Sequence, residues 1–295
     1  MRTTFCNFFL TFFLVLTSTL SAQKSYEYFG IVKLNGSDKT IITYRLNFIE
    51  NKGIINGHSV TDLGGSHETK NTIVGSYNAK TNILDFKETD ILYTKSEFSE
   101  SSFCFVNFSD KVKLSKGETK IEGNFSGLYR NKKKCIDGTL ALMGAEKINK
   151  LVNRVNNKIQ GSKKYDAKVK EKFNPLKMMD SLKMNNLTAN QNLNVFWDSE
   201  EFEMEVWDNG KLDDDKINVY ANGKLLLNNY VVTAGKKTIK VKAANKVVIK
   251  IEALNEGTIA PNTARLMLVD NKRTFELMSN LKKGESSSIT IIRKD

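Results

Sequence analysis

The sequence predicts a mainly β protein in two parts, an N-terminal antiparallel β-barrel-like domain and a C-terminal β-sandwich, separated by a helical basic linker. Three observations carry this expectation. Apolar and polar residues alternate with period two through roughly residues 26–143 and again through 201–294. A helical period of three and four occurs only between those stretches. Positive charge is concentrated in the same interval, with a net +7 over 145–190 against +3 over 23–144 and +1 over 191–295. The total of +12 therefore belongs mostly to the linker, and the folded parts lack the basic face that nucleic-acid binding requires.

The first segment, residues 1–22, has the three-part form of a secretory signal peptide: Arg2, the apolar run FFLTFFLVL from Phe8 to Leu16, and small polar residues ending in Ala22. That run is far short of the ~20 residues that span a bilayer. Cleavage after Ala22 removes Cys6 and places the mature chain outside the cytoplasm, secreted, periplasmic or on the cell surface. No second long apolar segment follows, so no transmembrane segment is expected. The mature chain keeps two cysteines, Cys104 and Cys135, and an exported pair is most simply a disulfide; two separate buried thiols are the alternative.

Residues 23–144 contain eight short alternating runs: YFGIVKL, TIITYRLNFI, GIINGHSVTDL, NTIVGSY, ILDFKETDILYT, FCFVNF, KIEGNFSGLY and CIDGTLALM. Turn sequences such as NGSD, ENKG and NAKTN separate them. Eight strands with no helical period between them argue for a closed or nearly closed antiparallel barrel, the architecture of lipocalins and avidins. The lipocalin Gly-x-Trp opening is absent, because Trp197 and Trp207 lie in the other half. The stretch INGHSVTDLGGSHETKNTIVGSY, with ETDILYTKS and FCFVNF after it, resembles a recurring domain of exported proteins from Bacteroidetes. That resemblance covers residues 26–143 and implies export without implying a particular chemistry.

The same stretch holds the only histidines, His58 and His67, beside Asp62 and Glu68. These residue types suit zinc, but their spacing fits no metal motif, and Gly64-Gly65 marks a tight turn between strands. Between the halves, 145–190 opens with EKINKLVNRVNNKIQ, in which Ile148, Leu151, Val152, Val155 and Ile159 make one apolar stripe of an amphipathic helix. Gly161-Ser162 ends it, and a basic segment interrupted by Pro175 follows as a semi-flexible linker. Asp180-Ser181-Leu182 resembles the short O-glycosylation signal of exported Bacteroidetes proteins.

In 191–295 the alternating runs EFEMEVW, KINVYANGKLLL, KTIKVK, KVVIKIEAL, RLMLV, RTFELM and SSITIIRK predict a two-sheet sandwich. Here VWDNGKLDDDKINVYA sets four aspartates close together. Asp208 shares the parity of Phe202, Met204 and Val206, and Asp213 and Asp215 share that of Ile217 and Val219, so these three face inward and Asp214 faces solvent. Inward carboxylates need compensation, and Ca²⁺, which takes six to eight oxygens, is the simplest source. The alternative is that the aspartates bind turn amides or pair with the fifteen bases of 216–295. The spacing is not that of an EF-hand. The pattern Asp-x-Gly-x-x-Asp-x-Asp, with ALNEGTIAPNTA further on, resembles a C-terminal β-sandwich module of exported bacterial proteins; Asp214 and Ala260 depart from it.

Catalytic signatures do not emerge: GNFSG at Gly123–Gly127 has its serine one place late for a nucleophile elbow, and no HExxH or phosphate loop is present. The expectation is an exported non-catalytic binding protein with a structural Ca²⁺ at Asp208, Asp213 and Asp215 and a glycan or surface protein as partner. Two alternatives stand beside it, a carrier enclosing a small apolar molecule in the barrel and a hydrolase using a pair of carboxylates.

Overall fold

The computed structural model describes residues 24–36, 40–114, 119–162, 164, 166, 185–208, 212–243 and 245–294. The expected signal peptide, most of the linker including Pro175 and Asp180-Ser181-Leu182, and Asn209-Gly210 lie outside the described residues.

Alternation in the first half produces β1 (Lys24–Leu34), β2 (Ile41–Asn51), β3 (Ile54–Thr61), β4 (Thr69–Asn78), β5 (Ile83–Thr94), β6 (Phe105–Lys111), β7 (Lys120–Leu128) and β8 (Gly138–Gly144). Their order is β5-β4-β3-β2-β1-β8-β7-β6, and β6 pairs back onto β5, which closes an eight-stranded antiparallel barrel. Lys52 and Gly53, with φ of 51° and 84°, make the tight turn between β2 and β3. One face of each strand fills the interior with large side chains, among them Tyr28, Tyr44, Phe48, Phe86 and Phe108. The Phe86 and Phe108 rings stack 5.2 Å apart, as do Tyr26 and Phe48. The middle of the barrel is therefore a packed core rather than an open cup.

The chain leaves β8 directly into α1 (Ala145–Gly161), with Glu146 in its first turn and Lys158 in its last, both complementing the helix dipole. Only Ala145 is buried. Leu151 and Val155 are 44% and 47% exposed, so much of the apolar stripe is not covered.

The second half consists of β9 (Asn185–Leu187), β10 (Asn192–Trp197), β11 (Glu201–Trp207), β12 (Lys216–Ala221), β13 (Lys224–Val231), β14 (Lys237–Lys242), β15 (Lys246–Ala253), β16 (Asn262–Val269), β17 (Thr274–Leu281) and β18 (Ser286–Arg293). Strands β14-β11-β16-β17-β9 form one sheet, and β13-β12-β15-β18-β10 form the other. Met204, Val206, Leu266 and Leu277 of the first share one buried cluster with Val219, Ile249, Ile251 and Ile289 of the second.

The two halves are joined by more than the chain between them. β5 pairs with β6 through Ile83–Lys87, and then Tyr93 and Thr94 pair with Val195 and Asn194 of β10. Register shifts between β4 and β5 change which side chains face inward along β5. Leu84 and Phe86 belong to the barrel core, whereas Tyr93 belongs to the core of the second half, its ring edge-on to Phe275 at 5.4 Å. The result is a continuous thirteen-stranded hydrogen-bonded sheet running through the barrel into the second half.

Candidate functional site

Above the packed aromatic layer, one end of the barrel opens into a cavity of about 240 Å³. Its wall is mostly apolar, with Val32, Phe105, Val106 and Phe125 contributed by β1, β6 and β7. Thr61, Asp62, His67, Thr69 and Ser96 also line it, and the two polar residues that matter most are Asn71 of β4 and Glu88 of β5, 5% exposed each. Both follow from strand parity: Glu88 continues the inward series Leu84, Phe86, and Asn71 shares the face of Ile73.

Glu88 is a buried carboxylate with its hydrogen bonds filled. Oε1 accepts from the Tyr44 hydroxyl at 2.8 Å and from the Ser59 hydroxyl, and Oε2 accepts from the Val106 amide at 2.8 Å. Burial pushes its pKa above the usual carboxylate range, while the bonds from Ser59, Val106, Tyr44 and Asn71 act the other way by favouring the ion. Asn71 directs its amide to this network, yet its Oδ1 is buried without a hydrogen-bond partner. A buried acceptor left open costs on the order of 1–3 kcal/mol.

The Cys104–Cys135 disulfide forms at the rim, with the two Cα atoms 6.1 Å apart, and ties the start of β6 to the β7–β8 connection. Gly127 makes this approach feasible: a Cβ there would stand 2.0 Å from the Ile136 carbonyl oxygen and 2.5 Å from Cys104 Sγ. Cys104 and Ile136 themselves line the mouth.

The residues with zinc-like chemistry are not gathered into a site. His67 lies in the β3–β4 turn, its Nδ1 3.2 Å from the Ser96 hydroxyl and its amide donating to Asp62 Oδ2 at 2.9 Å. Glu68 closes the same turn, accepting from the Gly64 amide at 2.6 Å and the Tyr93 hydroxyl at 2.9 Å. His58 sits on β3, where burial and then the charges of Lys70 and Arg45 lower its pKa to about 3. The Lys70 and Arg45 charges also disfavour a metal cation at His58.

The aspartates of the second half form a buried corner where β11 ends and β12 begins. Asp208, Asp213 and Asp215 are 5%, 7% and 1% exposed, and Asp214 is exposed, following the alternation. The loop 254–261 before β16 folds onto them. Ile259 donates its amide to Asp213 Oδ2 at 3.1 Å, and Thr263 donates to Asp215 Oδ2 at 2.7 Å. Gly257 has φ of +55°, and a Cβ there would stand 2.4 Å from the Asp213 carbonyl oxygen. These turn and loop amides therefore use one carboxylate oxygen of each. Asp213 and Asp215 form no ion pair with a described lysine or arginine; Lys236 and Lys240 pair instead with Glu205 and Glu203. Asp215 Oδ1 is buried with no hydrogen-bond partner. Burial pushes Asp215 up to about 6, the Thr263 amide opposes this, and the neighbouring Asp213 and Asp208 charges add to it. Among the described residues, no three His, Cys, Asp or Glu side chains are grouped so as to hold a metal ion. The donor chemistry fits Ca²⁺ at one point, the open oxygen of Asp215.

Sequence reading placed the three aspartates and the cysteine pair but passed over Asn71 and Glu88. The signal was present, since both polar residues fall on the parity of buried apolar neighbours. No known family, curated protein or solved structure matches the chain.

Proposed function

We propose that this chain is an exported, non-catalytic protein that binds a small, largely apolar molecule in the mouth of its barrel. The carrying observation is the cavity itself: an apolar wall, a short polar floor, and in that floor the open Oδ1 of Asn71. The packed aromatics below set the depth, so the ligand sits at the end of the barrel instead of being enclosed along its length. The disulfide supports the reading by fixing the rim from which two of the lining residues project.

Thermal shift and calorimetry with indole and 2-phenylethanol as probes test this, with Ile136→Trp as the blocking variant. Saturable binding that the tryptophan abolishes, at an unchanged melting temperature without probe, is the expected result. Absence of saturable binding by either probe up to millimolar concentration overturns it.

A second reading concerns the aspartate corner. We infer a structural Ca²⁺ anchored by Asp215 Oδ1 with Asp208 and Asp213 beside it, resting on that one buried oxygen without a partner. The ion would offset the mutual repulsion of the three carboxylates and hold the loop 254–261 against β12. Melting with added Ca²⁺ and with chelator tests it, and an identical transition in both removes the reading.

A further inference from the structure

The polar groups at the barrel mouth are unequal in kind. Asn71 offers an open acceptor, Oδ1, and donates a side-chain hydrogen bond to Glu88. Glu88 is an acid whose neighbours are all neutral donors: two hydroxyls, a backbone amide and a side-chain amide. No described lysine, arginine or histidine is bonded to it. Asp62 adds a second carboxylate at the rim, where its Oδ2 holds the His67 amide. The lining therefore carries two carboxylates, Glu88 and Asp62, with no lysine or arginine among its residues, and Glu88 is buried.

Such a floor selects against two common ligand classes. A carboxylate or phosphate would meet Glu88 and Asp62 with like charge and find no lysine or arginine to pair with. A hydrocarbon would leave Asn71 Oδ1 as it is, open and buried, at undiminished cost. A ligand carrying an N–H donor and a positive charge meets both needs. The space is sufficient: a 150 Å³ apolar cavity takes benzene, so about 240 Å³ admits an aromatic or branched aliphatic body with a short chain.

We propose that the molecule held at the mouth is a small organic amine bound as its ammonium ion. The charged head donates to Asn71 Oδ1 and lies against Glu88, and the apolar body packs among Val32, Phe105, Val106 and Phe125. This rests on the binding reading given above and narrows it to one chemical class. No covalent step is involved; the association is an ion pair and a hydrogen bond at one end and apolar contact at the other. Glu88 already has its lone pairs engaged, so it acts through charge, and Asn71 supplies the directional contact.

The test compares two probes of nearly equal shape on the full, disulfide-bonded chain at neutral pH by calorimetry: 2-phenylethylamine, cationic, and 2-phenylethanol, neutral. The amine is expected to bind at least about tenfold more tightly, and Glu88→Gln is expected to reduce that ratio to near one. Equal affinities in the unsubstituted protein overturn the amine class and leave the binding site standing. A preference that persists unchanged in folded Glu88→Gln also overturns it, because the discrimination would then come from elsewhere. If neither probe binds, the mouth is not a ligand site and both readings fall. The comparison of probes on the unsubstituted protein decides the class even if the Gln variant does not fold.

Discussion

Tyr44 on β2 donates its hydroxyl to Oε1 of Glu88 on β5 at 2.8 Å, a bond made through the barrel interior between strands that are not neighbours in the sheet. It links the packed aromatic layer to the floor of the mouth, so the position of the acid depends on the core beneath it. Tyr44 is fully buried, and burial pushes its own pKa well up, which keeps the hydroxyl a donor.

Replacing Tyr44 with Phe removes that donor and leaves the rest of the ring in place. We expect a loss of about 1–3 kcal/mol in urea unfolding, because a buried carboxylate oxygen loses a partner. The Glu88 pKa should rise further. A folded-state pKa above the unfolded value means that stability declines as pH rises through the window between them. Unfolding curves followed from the ordinary carboxylate range upward in pH should therefore show a steeper decline in Tyr44→Phe than in the parent.

The aspartate corner makes its own pH prediction. Asp215 ionises near 6 in the folded chain against an ordinary 3.8. Between these values the unfolded chain has released a proton that the folded chain retains, so stability is fully present at low pH and falls as pH rises. The fall should not exceed about 3 kcal/mol. Asp215→Asn should remove it, and bound Ca²⁺ should suppress it by favouring the ion. Asp214, exposed at φ of 62°, should tolerate Asn or Gly within about 0.5 kcal/mol but resist β-branched residues.

Cys104 and Cys135 are 31 residues apart in sequence. Opening that loop in a Cys104→Ala, Cys135→Ala variant should cost about 3–4 kcal/mol by chain entropy. Melting temperature measured with and without a reductant checks this, and the parent should approach the variant when reduced.

Tyr93 couples the halves, with its hydroxyl on Glu68 at 2.9 Å and its ring against Phe275. Tyr93→Ala should destabilise by roughly 3–5 kcal/mol. Hydrogen exchange should report the loss on β4 and on β17 together, since the side chain belongs to both sides of the junction.

How far the sequence can be read differs by feature. All eight barrel strands appear in it as alternating runs between turn residues, because strand parity is a local property. The buried positions of Asp208, Asp213 and Asp215 follow from the same parity. Asn71 and Glu88 were open to the same reasoning, but a single polar residue on an apolar face is weak against many polar loops. β10 was missed: NLNVFW is short, and its role depends on β5, about a hundred residues earlier.

The sequence by itself determined the β class, the eight strands of the first half, the cysteines available to pair and the parity of the aspartates. Each is written in spacing between near neighbours. Only the tertiary structure decided that β5 leaves β6 to pair with β10, that the barrel is filled below and open at its mouth, and that Asn71 and Glu88 share that opening. These depend on which distant strands meet and at what register, and a shift of one residue in a strand exchanges its two faces.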